Sequence, residues 1–296
     1  MKKQTVIVHG ATGEQGAAIV RGLLSAGHRV RGIVRRGSGS RLHPGAEPVQ
    51  AELLEPGALA ATYSGADAVI VQLPLVFAAD LAVQQAEAVL AGLREAGVRR
   101  AVFNSGAMLP TAPVGVPFVD ARVLVAAELP RSVEVATVVG PARTYMENLA
   151  APWSAPLVRG GELAYPLPRD LPVPWVALDD LGAAVAALIT STAPPPVQVV
   201  AGPQALTGDQ VAAELTAALG HPVRWNAVTP ATYQEMLAPH LGAEVAEGIA
   251  AAYTPPPPGT PPPPQPDPTV VTTGATTLRD WAARQNWAAY APALRP

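Results

Sequence analysis

Three glycines in the stretch VIVHGATGEQGAAIV, Gly10, Gly13 and Gly16, are spaced for one kind of chemistry, the approach of a phosphate to the main chain. They follow an apolar strand pattern and open an apolar helical one. In such a turn the first glycine permits a tight bend. The second lets backbone N–H groups reach a pyrophosphate, and the third lets helix pack on strand. The phosphates then sit at a helix N-terminus, where unpaired N–H groups and the dipole favour negative charge. Strand before and helix after turn a weak triplet into a dinucleotide signal.

The end of the second expected strand selects the dinucleotide. A site for the unphosphorylated ribose places an acid there. This chain has Arg35 and Arg36 instead, with no acid from Arg21 through Pro44. A guanidinium fork pairs with a 2′-phosphate, and a second stacks on adenine. One charge-assisted bond of about 1.5–3 kcal/mol favours NADP over NAD by about 10- to 150-fold. The expected cofactor is NADP(H).

Other chemistries are excluded or weak. The chain has no cysteine, which removes disulfides, thiolate metal sites and cysteine nucleophiles. Lys2 and Lys3 are the only lysines, so no tyrosine is followed four residues later by lysine. The pair in which lysine lowers a tyrosine pKa for acid–base work is therefore absent. His9, His28, His43, His221 and His240 are scattered without metal-ligand spacing, and no metal is expected. Burial at the end of the first strand is the expected lot of His9. Asp179 and Asp180 open a helix, where acids compensate the dipole. No G-x-S-x-G elbow surrounds Ser105, so a hydrolase is not expected.

The elements that must hold these residues alternate in the first half. Strands are expected at 5–9, 30–34, 48–51, 68–72, 100–104 and 133–138, with helices at 15–26, 79–96 and 119–129. This is the pattern of a parallel sheet with crossover helices. From Pro141 to Trp175 proline is frequent and periodicity weak, which reads as long loops. A helix at 179–190 and a strand at 197–201 that returns to the sheet follow. Thr207 with Gln210 forms a capping box, and Thr229 before Pro230 a second helix start. The run from Thr254 to Pro268 reads as an exposed polyproline arm that serves as a stiff connector. At 296 residues and 49% hydrophobic content the chain can bury a large core. A formal charge of −3 offers no footprint for nucleic acid or anionic lipid, and no apolar run is long enough to span a membrane. No secretory signal pattern is seen, and with the lack of cysteine a cytoplasmic location is expected.

HGATGEQG followed by RGLLSAGHRVRGIVRR resembles the NmrA-like branch of the atypical short-chain dehydrogenase/reductase superfamily. FNSGA at 103–107, PARTYMENL at 141–149 and VPWVALDDLG at 173–182 extend the likeness, and AGPQALTGDQVAAEL and TTLRDWA carry it over essentially the whole chain. The resemblance implies an α/β fold, a Rossmann-type doubly wound parallel sheet with a smaller C-terminal α/β substrate lobe. The expected division gives 1–145 with 176–205 to the NADP-binding core. The lobe then takes 146–175 with 206–296, including the proline-rich arm at 254–268. It further implies that Gly10, Thr12, Gly13, Glu14, Gln15 and Gly16 surround the phosphates, and that Arg35 and Arg36 hold the 2′-phosphate. Glu52 would lie near adenine, Leu73 and Pro74 beside the ribose, and Asn104, Ser105 and Gly106 nearer the nicotinamide. Arg122 stands where many relatives have lysine and would orient the cofactor. Gly140 stands where relatives often have arginine. Tyr145, Met146, Asn148, Trp153, Tyr165 and Trp175 fall in the segments expected to cover the nicotinamide, with Tyr145 the candidate proton donor and Tyr145 and Asn148 cofactor contacts.

Two functions fit these residues. One is an NADPH-dependent reductase of a small planar acceptor such as a quinone or enone, whose reduced oxygens take protons from water. The other is a non-catalytic NADP(H)-sensing regulatory protein that binds a partner according to redox state. A homodimer or a regulatory partner is compatible with either.

Overall fold

The structure is a computed structural model that describes residues 3–35, 39–255 and 266–290. Arg36 and most of the expected proline arm lie outside the described residues. In chain order the elements begin β1 (Thr5–Val8), α1 (Glu14–Ser25), β2 (Arg29–Val34), β3 (Glu47–Gln50), α2 (Pro56–Tyr63) and β4 (Ala68–Val71). Then come α3 (Ala79–Glu95), β5 (Arg100–Asn104), α4 (Pro117–Ser132), β6 (Val135–Pro141), α5 (Ala155–Arg159), β7 (Glu162–Tyr165) and β8 (Val173–Pro174). The chain continues with α6 (Leu178–Thr190), β9 (Val197–Ala201), β10 (Ala205–Leu206), α7 (Gly208–Leu219), β11 (Arg224–Ala227) and α8 (Pro230–Leu241). Last are α9 (Ala243–Ala251), β12 (Val271–Thr273) and α10 (Leu278–Ala283).

The described residues of Met1–Pro141, Leu178–Val200 and Pro268–Thr272 form one compact unit. Its sheet has eight strands in the order β12-β9-β6-β5-β4-β1-β2-β3. The pairings from β3 across to β9 are all parallel. Strands covered on both faces run apolar, as in VIV of β1 and AVIV of β4; all four residues of β4 are buried. Helix α1 lays Ile19, Val20 and Leu23 inward. It meets α6 so closely that a Cβ on Gly182 would stand 2.4 Å from the Ala18 carbonyl oxygen. The glycine of LDDLG is thus a packing residue. Asp179, one turn ahead, pairs with Arg21 at 2.7 Å across the same contact.

The described residues of Ala142–Ala177, Ala201–Asp267 and Thr273–Pro296 form a second unit. It contains the parallel pair β7–β11 and the antiparallel pair β8–β10. Its core includes Tyr165, Trp175, Leu215, Trp225, Tyr233, Leu237 and Trp281. Both expected helix starts are present: Thr207 and Gln210 make the reciprocal capping box of α7, and Thr229 caps α8 through the N–H of Thr232.

The expectation of long loops from Pro141 to Trp175 is corrected. That segment holds a 3₁₀ turn at Met146–Ala150, α5, β7 and β8. Helix α5 has five residues, too few to show a helical period, and β7 pairs with β11, which lies some sixty residues on. Neither signal is local. The α4 boundaries also move outward, to Pro117–Ser132, because Pro117 fills the first turn, where its missing N–H costs nothing. Strand β6 accordingly begins at Val135.

Candidate nucleotide site

Strand order reverses at the centre of the sheet, where β4 and β2 flank β1. In open parallel sheets ligands lodge outside the carboxyl ends at such a switch point. The residues that leave those ends are His9 and Gly10 after β1, Arg35 after β2, Gln72 after β4 and Asn104 closing β5.

The glycine turn is shaped by the main chain. Gly10 has φ +58, in the left-handed region that favours glycine, and its carbonyl accepts from Gly13 N at 2.9 Å. A Cβ on Gly16 would lie 2.0 Å from the Gly10 oxygen, so the third glycine is demanded by packing. Gly13 is different. It has φ −90, and a Cβ there would touch the protein no closer than 3.4 Å. The fold tolerates a side chain at Gly13, so its absence keeps outer space open, as a cradle for pyrophosphate requires. No side chain caps α1, which leaves first-turn N–H groups for an anion. These residues fit a dinucleotide. Glu14 is exposed in the same turn and Thr12 is half-buried.

Three side-chain amides knit the strand ends together. Asn104 Nδ2 donates to Gln15 Oε1 at 2.8 Å and to Gln72 Oε1 at 2.9 Å, and Gln72 Nε2 donates to the His9 carbonyl at 2.7 Å. Asn104 Oδ1 accepts from Gly106 N at 3.2 Å. Sequence reasoning named Gln15, Asn104 and Gly106 and missed Gln72. Its signal was a polar residue directly after the apolar run AVIV.

His9 was expected to be buried, and it is, with Nε2 2.7 Å from the Tyr63 hydroxyl. Burial lowers the imidazole pKa from 6.5 to about 4. Because the folded pKa is depressed below the unfolded value, stability is full above pH 6.5 and falls as pH drops toward 4. That depression corresponds to about 3 kcal/mol. Burial pushes His28 in the same direction. The expected result is that His9→Gln, which keeps an acceptor for Tyr63 but cannot titrate, loses most of the decline measured by denaturant midpoints between pH 7 and pH 4. An unchanged slope in the variant would remove His9 as the cause.

Arg122 is buried, with its guanidinium 5.2 Å from the centre of the Phe118 ring. It donates to the carbonyls of Phe118 at 2.7 Å and Leu73 at 2.9 Å. Burial lowers its pKa to about 10, which leaves it charged at neutral pH. In this arrangement Arg122 braces the segment after β4, with buried Leu73 and exposed Pro74. Ser105 is committed as well: its hydroxyl faces the carbonyl oxygens of Ala107 at 2.7 Å and Val139 at 3.0 Å. That hydroxyl also explains Gly140, where a Cβ would lie 2.5 Å from Ser105 Oγ. Arg35 and Glu52 are both exposed, past the ends of the paired strands β2 and β3.

In the second unit Tyr145 N-caps the 3₁₀ turn and bridges to Val176. Its hydroxyl is buried and has no hydrogen-bond partner among the described residues. Burial, and secondarily the Glu147 carboxylate, raises its pKa above 10, which makes it a poor proton donor at neutral pH. Asn148 Nδ2 donates to Thr144 Oγ1 at 2.9 Å, and Tyr165 OH lies 3.2 Å from Thr144 Oγ1 and 2.9 Å from Tyr253 OH. Trp153 Nε1 donates to Tyr233 OH at 3.3 Å, while Trp175 and Met146 are buried in the core of this unit. An unpaired buried hydroxyl costs about 1–3 kcal/mol. Tyr145→Phe is therefore expected to raise the denaturation midpoint, by the equivalent of about 1 kcal/mol. A loss of stability would mean that the hydroxyl is bonded.

Among the described residues no group of three or more His, Asp or Glu side chains is arranged to hold a metal, and no helix is long and apolar enough to cross a membrane.

Comparison with known proteins bears on the family and the fold. An NAD(P)H azoreductase from Xenophilus azovorans is 33% identical over 233 residues, covering 76% of this chain and 77% of that protein. Among solved structures, a nucleoside-diphosphate-sugar epimerase from Staphylococcus aureus has a TM-score of 0.68 at 17% identity, covering 95% of this chain and all of the other. An NADPH-dependent quinone oxidoreductase from Escherichia coli gives 0.66 at 21% identity, covering 94% and 98%. The triphenylmethane reductase of Citrobacter sp., complexed with NADP(H), gives 0.65 at 20% identity, covering 84% and 88%. The structural likenesses carry the fold. The NmrA-like family matches residues 2–254, and the chain belongs to that family.

Proposed function

We propose that this protein is an NADPH-dependent oxidoreductase that reduces a small planar acceptor, such as a quinone, an enone or an azo compound. The observation that carries the reading is the glycine turn, in which Gly16 is required by packing and Gly13 keeps space that the fold itself does not need. The azoreductase relative supports a redox role. NADPH, when bound, supplies a hydride from its nicotinamide. Gly10, Thr12, Gly13, Gln15 and Gly16 would hold the phosphates, and Arg35 with Arg36 the 2′-phosphate. Asn104, bonded to Gln72, would form the floor of the site, and Arg122 donates to the Leu73 carbonyl. The lack of a Tyr-x-x-x-Lys pair favours acceptors whose reduced atoms are protonated by water.

The commitment of Arg122 and Ser105 to main-chain carbonyls, with the buried Tyr145 hydroxyl, favours one second reading, an NADP(H)-sensing protein without turnover. The near-ultraviolet absorbance of the reduced nicotinamide separates the two. Bound NADPH mixed with a panel of quinones, enals and azo dyes is expected to be oxidised by at least one. Tight binding with no loss of absorbance against the whole panel would leave the sensor.

A further inference from the structure

The amide network has a direction, set at both ends by main-chain groups whose polarity is fixed. Gly106 N–H is a donor, so the Asn104 atom that faces it at 3.2 Å is Oδ1. The His9 carbonyl is an acceptor, so the Gln72 atom that faces it at 2.7 Å is Nε2. Between these anchors the Asn104 NH₂ gives one hydrogen to Gln72 Oε1 and the other to Gln15 Oε1. An amide NH₂ has two hydrogens, and both are used. Gln15 thus turns its oxygen inward, and its own NH₂ is directed away from Asn104. Gly106, with φ +72, leaves room for that amide: a Cβ there would sit 3.3 Å from Gln15 Oε1 and 3.5 Å from Nε2.

We propose that Asn104 and Gln72 are positioning residues that orient Gln15 as an N–H donor toward a phosphate oxygen of the bound dinucleotide. The inference rests on the NADP(H) reading and deepens it. Gln15 recognises an oxygen acceptor only while Asn104 donates to it. A carboxylate in place of the Asn104 amide has no hydrogen to give. Gln15 would then rotate to donate to that carboxylate and present its oxygen to the phosphate, which repels it.

The test is a double-mutant cycle read by affinity, with NADPH and adenosine 2′-monophosphate as probes in the wild type, Asn104→Asp, Gln15→Leu and the double variant. The second probe carries the 2′-phosphate but no pyrophosphate. Asn104→Asp is expected to weaken NADPH by about tenfold or more, the loss of one charge-assisted bond, and to leave adenosine 2′-monophosphate within about twofold. In the Gln15→Leu background the same substitution is expected to add less than about twofold. An undiminished loss in that background, equal losses for both probes, or no loss at all would overturn the relay. If the wild type holds neither probe, the cofactor reading fails separately, and side-chain amide exchange in the unliganded protein still decides the polarity. Slow exchange at Asn104 and fast exchange at Gln15 supports it, and the reverse refutes it.

Discussion

Gly13→Ala is expected to weaken NADPH binding by at least about tenfold while the protein unfolds at nearly the wild-type midpoint. The added methyl group would meet its nearest protein atom, the Gly10 oxygen, at 3.4 Å, an ordinary contact, and φ −90 is open to alanine. Losing glycine as the N-cap of α1 costs a few tenths of a kcal/mol up to about 1, and the stiffer unfolded chain returns about 0.4–1. The two nearly cancel. The methyl group instead occupies the space from which a pyrophosphate oxygen would reach the first-turn N–H groups. Losing one such bond, about 1.5 kcal/mol or more, gives the tenfold figure. Gly16→Ala supplies the contrast. Its methyl group would overlap the Gly10 carbonyl at 2.0 Å, against backbone that has no flexible end to yield. About 3 kcal/mol of stability is expected to go with it. Paired titration and denaturation of the two variants checks the assignment: one glycine serves the ligand, the other the fold. Equal loss of stability in both would contradict it.

Removing the arginine pair is the second large effect. Arg35→Ala with Arg36→Ala is expected to weaken NADPH by about 10- to 150-fold and to leave NADH nearly unchanged. The argument is one of charge count. Only NADPH carries a phosphate on the adenosine ribose, and no acid between Arg21 and Pro44 is available to hold the bare hydroxyls of NADH. Arg35 is exposed at the carboxyl end of β2, beside the switch point in strand order, the usual ligand position in open parallel sheets. Exposure means the bond is screened, so raising salt should narrow the difference between the two cofactors. A variant that weakened both nucleotides equally would show that the guanidiniums serve general attraction.

Strands β1, β4 and β5 were legible because they are short, continuous and almost wholly buried. TVIV, AVIV and RAVFN announce themselves without help from the rest of the chain. The same holds for helices with chemical start signals, as Thr207 with Gln210 and Thr229 with Pro230 show. Elements whose pattern is made by distant partners were not legible. Strand β7 is stabilised by β11, and α5 is too short to display a period. Helix α2, PGALAATY, is apolar nearly all round, so no face stands out. At the site, residue types gave an expectation of where a phosphate would approach but not how side chains divide their hydrogen bonds. Gln72, Arg122 and Ser105 are each committed to the main chain by contacts across loops. Only the fold brings those carbonyls within reach.

The most direct measurement is equilibrium titration of the wild-type protein with NADPH and with NADH at the same moderate salt. The account predicts NADPH held at least about tenfold more tightly. Equal affinity for the two, or no binding of either, would contradict it.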